Sequence, residues 1–375
     1  MTFRLNTLSF CLATTAGIAV IAAPALAREY VYSSWFGVNH TTNQIAIEPY
    51  LDAVSEQTSD EVTWKFVPGA QLASGPGTPE AVGDGLIDAG IAIAPYQPRL
   101  LPATNTIFSN SLLGNDTLAA GAAMNETVLM GCPQCQEEYH ALNAVGFAGY
   151  ATTPYVFMCS TMIEDVGDLA GLKVRASGGG VSITEIAGAT PVSMSPTEAT
   201  TSLERGTLDC VLGAVGWLKS YGYMDVVESV VESPMGMGGP PLLMFVNKDS
   251  WEDMSPEDRQ VHIDLAPELI AAAVYDGQVL QDEKTFELAK EAGVAFTPDN
   301  EGFAGIMTQH DSVQRDRVIE EAEKAGVEGA GELLESYMAT YDKWVKLLDE
   351  KGRDRDTYRQ LLWDEIYSKV DPEAL

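Results

Sequence analysis

Two stretches of this chain, Gly85-Leu86-Ile87-Asp88 and Gly206-Thr207-Leu208-Asp209, share one local grammar: a glycine that stops a helix, an aliphatic residue, an acid, and then an apolar run. Each follows a helix-opening signal. Thr78-Pro79-Glu80 puts proline at the first helical position and an acid in the first turn, and Ser195-Pro196-Thr197-Glu198 is a full capping box. Around the first copy the pattern predicts strand 30–36, helix 42–58, strand 62–67, a helix from 78 and strand 87–94. Around the second it predicts strand 172–176, helix 181–187, strand 191–194, helix 195–206 and strand 208–212. The almost wholly apolar run at 87–94 marks a sheet covered on both faces. Chance recurrence of a common unit is the competing explanation, but two α/β lobes built on one plan is the economical reading.

The length, 375 residues, suffices for two cored domains, and 46% apolar content argues against disorder. After Trp251 the chain turns helical. Ser255-Pro256-Glu257-Asp258 opens a helix that Pro267 is expected to kink or interrupt; helix resumes over 271–292, and a strand lies near 294–297. Leu334, Tyr337, Tyr341, Trp344 and Leu348 fall on one helical face, and Leu361, Leu362 and Ile366 on another, as packing surfaces laid across the lobes. Short lobe crossings are expected near 150–154 and 234–241.

The N-terminal segment 1–27 differs from the rest. Arg4 is its only charge, an apolar run follows, and Ala25-Leu26-Ala27 offers small residues for cleavage, so a secretory signal peptide removed after Ala27 is expected. Thr14, Thr15 and Gly17 break the run, and it is short for a membrane span. The whole chain carries 54 acids against 22 bases, a net charge of −32, which excludes a nucleic-acid partner because there is no basic surface to displace counterions. Cys132, Cys135, Cys159 and Cys210 outlast the leader and would meet an oxidising compartment. Their pairing is open on sequence alone. Cys132-Pro133-Gln134-Cys135 is compatible with redox exchange, zinc or a local disulfide. With no second CxxC and only His140 nearby, a structural disulfide is favoured.

No P-loop, HExxH or GxSxG motif occurs, and His40, His140, His262 and His310 are widely spaced. Nothing calls for a cofactor or a metal, and an enzyme is not expected. Gly178-Gly179-Gly180 follows a strand and opens a helix, but lacks the spacing and distal acid of a dinucleotide fingerprint. Arg175 stands out. It ends an apolar strand at the carboxyl side, where open α/β sheets place their ligands, and its planar fork matches a carboxylate. The competing reading is a surface arginine paired with one of the many acids.

Asp168-Leu169-Ala170-Gly171-Leu172-Lys173-Val174-Arg175, then Gly188-Ala189-Thr190-Pro191-Val192, Glu198 and Gly206-Thr207-Leu208-Asp209, form an ordered set of motifs. Pro68-Gly69-Ala70-Gln71-Leu72 precedes them, and Val246-Asn247-Lys248, Trp251 and Ser255-Pro256-Glu257 follow. In that order they resemble the solute-binding subunits of tripartite ATP-independent periplasmic (TRAP) transporters, over roughly residues 30–297. The resemblance implies an α/β, two-lobed periplasmic binding protein fold with the ligand cleft between the lobes, plus C-terminal helices. Lobe I is expected at 28–152 with about 239–281, lobe II at 153–238 with about 282–330, and a helical extension packing on the lobes at 331–375.

It also implies that Arg175 pairs with the carboxylate of a small organic anion, which membrane permease subunits then receive. Trp35, Phe36, Tyr96 and Tyr155 are expected to line the cleft by the same likeness. Where many relatives carry an acid–asparagine pair after the acid of the second copy, this chain has Leu212-Gly213, and Trp217 is placed to fill the vacated volume. Aromatic walls around one arginine suit an anion with an aromatic or apolar body, or a quaternary ammonium group stacked on the rings. Cys159 and Cys210 fall on neighbouring strands in such a lobe and are expected to pair, leaving Cys132 with Cys135. A periplasmic monomer is expected, with a dimer also compatible. The rival functions are a periplasmic ligand sensor, an ATP-driven importer's binding protein and a CxxC redox protein.

Overall fold

The computed structural model describes residues 1–2, 28–110 and 114–375, so the expected leader lies, but for its first two residues, outside the described residues. In chain order the strands are β1 (Arg28–Ser33), β2 (Val62–Val67), β3 (Ala89–Ala92), β4 (Ala144–Gly149), β5 (Val156–Cys159) and β6 (Lys173–Arg175). Then come β7 (Thr190–Val192), β8 (Cys210–Gly213), β9 (Ser229–Val231), β10 (Leu242–Asn247) and β11 (Ala295–Thr297). They form two sheets, ordered β2-β1-β3-β10-β4 and β7-β6-β8-β5-β9-β11. In each, the second strand, β1 or β6, is parallel to both neighbours, and the fourth, β10 or β5, is antiparallel to both. The expected two-lobed α/β plan is therefore present, and the second sheet adds β11 at its edge.

The repeated motif has a physical reason. Gly85 and Gly206 adopt φ of +68° and +65°, left-handed turns that a side chain would strain, and so end their helices. The acid three residues on then locks the next strand to its neighbour. The Asp88 N–H donates to the Val31 carbonyl at 3.0 Å while its carboxylate accepts from the Val31 N–H at 2.7 Å. Asp209 makes the same pair with Lys173, at 2.9 and 2.8 Å.

Two separate apolar cores lie on the two sheets. The first takes residues from β1 to Ala151 and from Met237 to Val274, together with Tyr337, Trp344, Leu348, Tyr358 and Leu362 of the last two helices, Ala330–Lys351 and Arg355–Glu365. The second runs from Tyr155 to Met235 and adds Ala289, Phe303 and Ile306. Helix Glu301–Lys324 has an end in each core, Phe303 and Ile306 in the second and Ala322 in the first.

Of the two outcomes expected at Pro267, a kink or an interruption, the interruption does not occur. The helix Pro256–Ala271 runs through it without interruption, and the irregularity comes later, as a widened π-helical stretch over Ala272–Val279 before Leu280–Glu291. A missing N–H removes one bond of the helical ladder, and here the surrounding packing of Ile263, Ala266, Leu269 and Ile270 in the core holds the turn together. Several strands are shorter than their apolar runs; β3, for example, stops at Ala92, because Ala94–Tyr96 turns into a short 3-10 segment.

Both disulfides form, Cys132–Cys135 and Cys159–Cys210. Cys159 and Cys210 face each other directly across β5 and β8. Cys132 caps the helix Pro133–Ala141, its sulfur accepting from the Cys135 N–H at 3.2 Å, and both cysteines are buried. No helix among the described residues is long and apolar enough to cross a membrane.

Candidate functional site

The sheet plan decides which residues can meet. Trp35 and Phe36 follow the end of β1, Tyr96 follows β3, and Arg175 and Gly213 end β6 and β8. Tyr155 precedes β5, which runs antiparallel to β8, so it stands at the same edge as Gly213. All six therefore gather at the carboxyl ends of the parallel strands, where the two lobes face each other.

Arg175 is 1% exposed. Its Nε donates to the Met194 carbonyl at 2.8 Å, and its Nη2 donates to the Ser177 hydroxyl at 3.3 Å and to the Tyr96 hydroxyl at 3.2 Å. Tyr96 packs against the first core and Arg175 ends a strand of the second sheet, so this last bond spans the cleft. Nη1 is buried without a hydrogen-bond acceptor among the described residues. Among the described residues no carboxylate pairs with this guanidinium, whereas other arginines, such as Arg353 and Arg355, hold acids at the surface. The competing reading of a surface ion pair is excluded by that burial.

The ring of Trp217 lies over the guanidinium, 5.4 Å from its carbon. It can do so because position 213 is glycine: a Cβ there would stand 2.1 Å from the ring. Trp217 thus occupies the space beside Gly213. Tyr155 packs on Trp217 with centroids 5.3 Å apart, and its hydroxyl lies against Gly238 of the crossing segment, 2.1 Å from where a Cβ would be. Trp35 and Phe36 are buried at 4.4 Å from each other, and the Trp35 indole N–H donates within its own lobe, to the Ile91 carbonyl at 3.1 Å.

Some site residues escaped the sequence reading. Tyr221 sits one helical turn after Trp217 and reaches across the cleft to His40, at 4.9 Å, and to Phe36, at 6.4 Å. His40 sits four residues after Phe36 and stacks on it at 4.1 Å. Neither was signalled by the sequence: Phe36 and His40 lie in a loop, where an i, i+4 spacing does not by itself bring side chains together, and Tyr221 follows the one-turn helix Trp217–Ser220 like any other aromatic. At the rim, the hydroxyls of Thr41 and Ser220 approach to 3.4 Å. Asp282 was not signalled at all. Its carboxylate accepts from the Gly216 N–H at 2.7 Å and from the Thr153 hydroxyl, so it ties the turn before Trp217 to the crossing segment before Tyr155.

The electrostatics are simple. Burial pushes the Tyr96 hydroxyl up to about 12 against the pull of Arg175, and raises those of Tyr150, Tyr155 and Tyr221 as well, so all stay protonated. Burial lowers His40 to about 3, leaving it neutral. Its Nδ1 accepts from the Thr42 N–H at 3.2 Å, which places the ring proton on Nε2. A cavity of about 250 Å³ shares Ser177 with the cluster and is lined also by Pro95, Gly178, Gln314, Arg317 and Glu321.

Residues 33–311 match the family model described as "bacterial extracellular solute-binding protein, family 7". The chain is similar to the 2,3-diketo-L-gulonate-binding periplasmic protein YiaO of Escherichia coli, 24% identical over 288 residues that cover 76% of this chain and 85% of that protein. Among solved structures it is similar to a TRAP solute-binding protein of Rhodoferax ferrireducens in complex with benzoate, at TM-score 0.75 and 18% identity, covering 85% of this chain and 99% of that one. It is also similar to one of Bordetella bronchiseptica with bound mandelate, at TM-score 0.73 and 19% identity, covering 84% and 99%.

Proposed function

The chain belongs to the bacterial extracellular solute-binding proteins of family 7, and from that footing we propose that it captures a small organic anion at Arg175 and delivers it to the permease subunits of a TRAP-type transporter. The observation that carries this reading is a guanidinium that is 1% exposed and has no carboxylate partner among the described residues. A buried unpaired charge costs several kcal/mol, and a ligand carboxylate at Nη1 relieves that cost with a charge-assisted hydrogen bond. The relatives with bound or named small organic acids support the same class of ligand.

Arg175 is the anchor, and Trp217 with Gly213 forms the wall over it. Tyr155 and Tyr96 present hydroxyls, and Trp35 and Phe36 supply the apolar floor of the opposite lobe. The lobes are taken as 28–152 with about 239–281 and 153–238 with about 282–330, and residues 331–375 as the helical extension. A ligand touching both lobes binds the closed form better than the open one, and only that difference shifts the population. Closure is the signal a permease can read. The protein works in the periplasm as a monomer after cleavage behind Ala27.

Mass spectrometry of small molecules released on denaturing the purified protein is expected to yield an organic acid. Calorimetry is expected to show that acid binding to the wild type and not to Arg175→Ala. Undiminished binding by Arg175→Ala would sink the reading.

A further inference from the structure

We propose that the site selects organic acids carrying a single carboxylate and rejects dicarboxylates of the same skeleton. This deepens the function proposed above and rests on it. Three of the hydrogen-bonding directions of Arg175 are already used, by Met194, Ser177 and Tyr96, and the Trp217 ring lies over it. What is left is Nη1, enough for one carboxylate.

Beyond that guanidinium the lining offers no unpaired cation among the described residues: Arg317, which borders the cavity beside Ser177, is already held by Glu185 at 3.5 Å and Glu321 at 3.2 Å. Tyr96, Tyr150, Tyr155 and Tyr221 are hydroxyls that burial keeps protonated. His40, whose ring meets Tyr221 across the cleft, is held neutral by the same cause. Lys219, on the turn that bears Trp217, is exposed to solvent, and so is Arg99, close after Tyr96. The charged group that does act on Tyr96 besides Arg175 is an acid, Glu198, whose carboxylate is held by the Ser195 N–H at 2.9 Å. A second ligand carboxylate would therefore lose its water with no unpaired cation to receive it, near acids of like charge. A neutral keto, hydroxyl or ester group at the same place finds hydroxyl donors and aromatic faces, and meets no such penalty.

The test uses the full mature protein and matched probes: benzoate against terephthalate, butanoate against succinate, and monomethyl succinate, which has the length of succinate with one charge removed. Calorimetry and thermal shift are read for each. The expected result is that each monocarboxylate binds at least a hundredfold tighter than its dicarboxylate, and that monomethyl succinate behaves like butanoate. The acid released from the purified protein should also carry one carboxyl group. A dicarboxylate binding within tenfold of its partner, or rejection of monomethyl succinate along with succinate, overturns the selectivity and leaves the Arg175 reading standing. If no carboxylate binds, probe or co-purified, or if binding survives Arg175→Ala, the function proposed above falls and takes the selectivity with it.

Discussion

Under the proposed function, Arg175 is the side chain expected to carry most of the binding energy. Its fork holds Met194, Ser177 and Tyr96 and keeps Nη1 free, a division of labour that a lysine cannot copy with a single ammonium. Arg175→Ala is expected to weaken acid binding by about a hundredfold or more, roughly 3 kcal/mol, and Arg175→Lys to fall between it and the wild type by calorimetry. Tyr221 acts through its ring, wedged between His40, Phe36 and Trp217. Tyr221→Ala should therefore weaken binding about tenfold, through faster release, while Tyr221→Phe stays near wild type in stopped-flow measurements. Equal loss in both variants would shift the role from the ring to the hydroxyl. These two residues differed in how visible they were. Arg175 announced itself by ending an apolar strand, whereas Tyr221 looked like any aromatic on a short helix until the opposite lobe was in place.

At the level of elements, the sheet explains the cysteines. Cys159 and Cys210 are opposite each other in β5 and β8, and their bond closes a loop with a sequence separation of 51. Cys132 and Cys135 are separated by 3. Loop-closure entropy grows with loop length, so removing the first bond (Cys159→Ala with Cys210→Ala) is expected to cost up to about 4 kcal/mol, well above the cost of removing the second. Urea denaturation of the two double variants checks this, and equal losses would refute it. Gly213 is a second element-level constraint. A Cβ at that strand end collides with the Trp217 ring, so Gly213→Ala must swing the ring off Arg175. The expected cost is about 1–3 kcal/mol of stability, together with a shifted tryptophan emission. The capping box at Ser195 was legible to the residue, since its bonds are local: the Glu198 carboxylate returns to the Ser195 N–H at 2.9 Å. Pro267 does not interrupt its helix, because core packing holds the turn across the missing hydrogen bond.

For the whole molecule, acid response is set by buried groups that pull in opposite senses. Burial lowers His40 to about 3 and His262 to about 4, so below the ordinary histidine value the unfolded chain takes up protons that the folded form refuses, and stability falls as pH drops. Asp282, raised to about 6, and Glu138, raised to about 7, do the reverse. Between about pH 4 and these values the folded form keeps protons that the unfolded chain has released, so their share of stability falls as pH rises. Glu138→Gln with Asp282→Asn is therefore expected to show a Tm that drops more steeply than wild type from pH 7 to pH 4; a parallel profile would remove these two groups from the account. The sequence by itself determined the two-lobed plan, the caps, the helix-stopping glycines and a cation at a sheet mouth, because periodicity, glycine turns and capping act between residues a few positions apart. Only the tertiary structure decided that Trp217 covers Arg175, that His40 and Tyr221 close on each other, and that Asp282 braces the wall. Those contacts join residues far apart in the chain, and which of them form depends on how two separately cored lobes pack edge to edge.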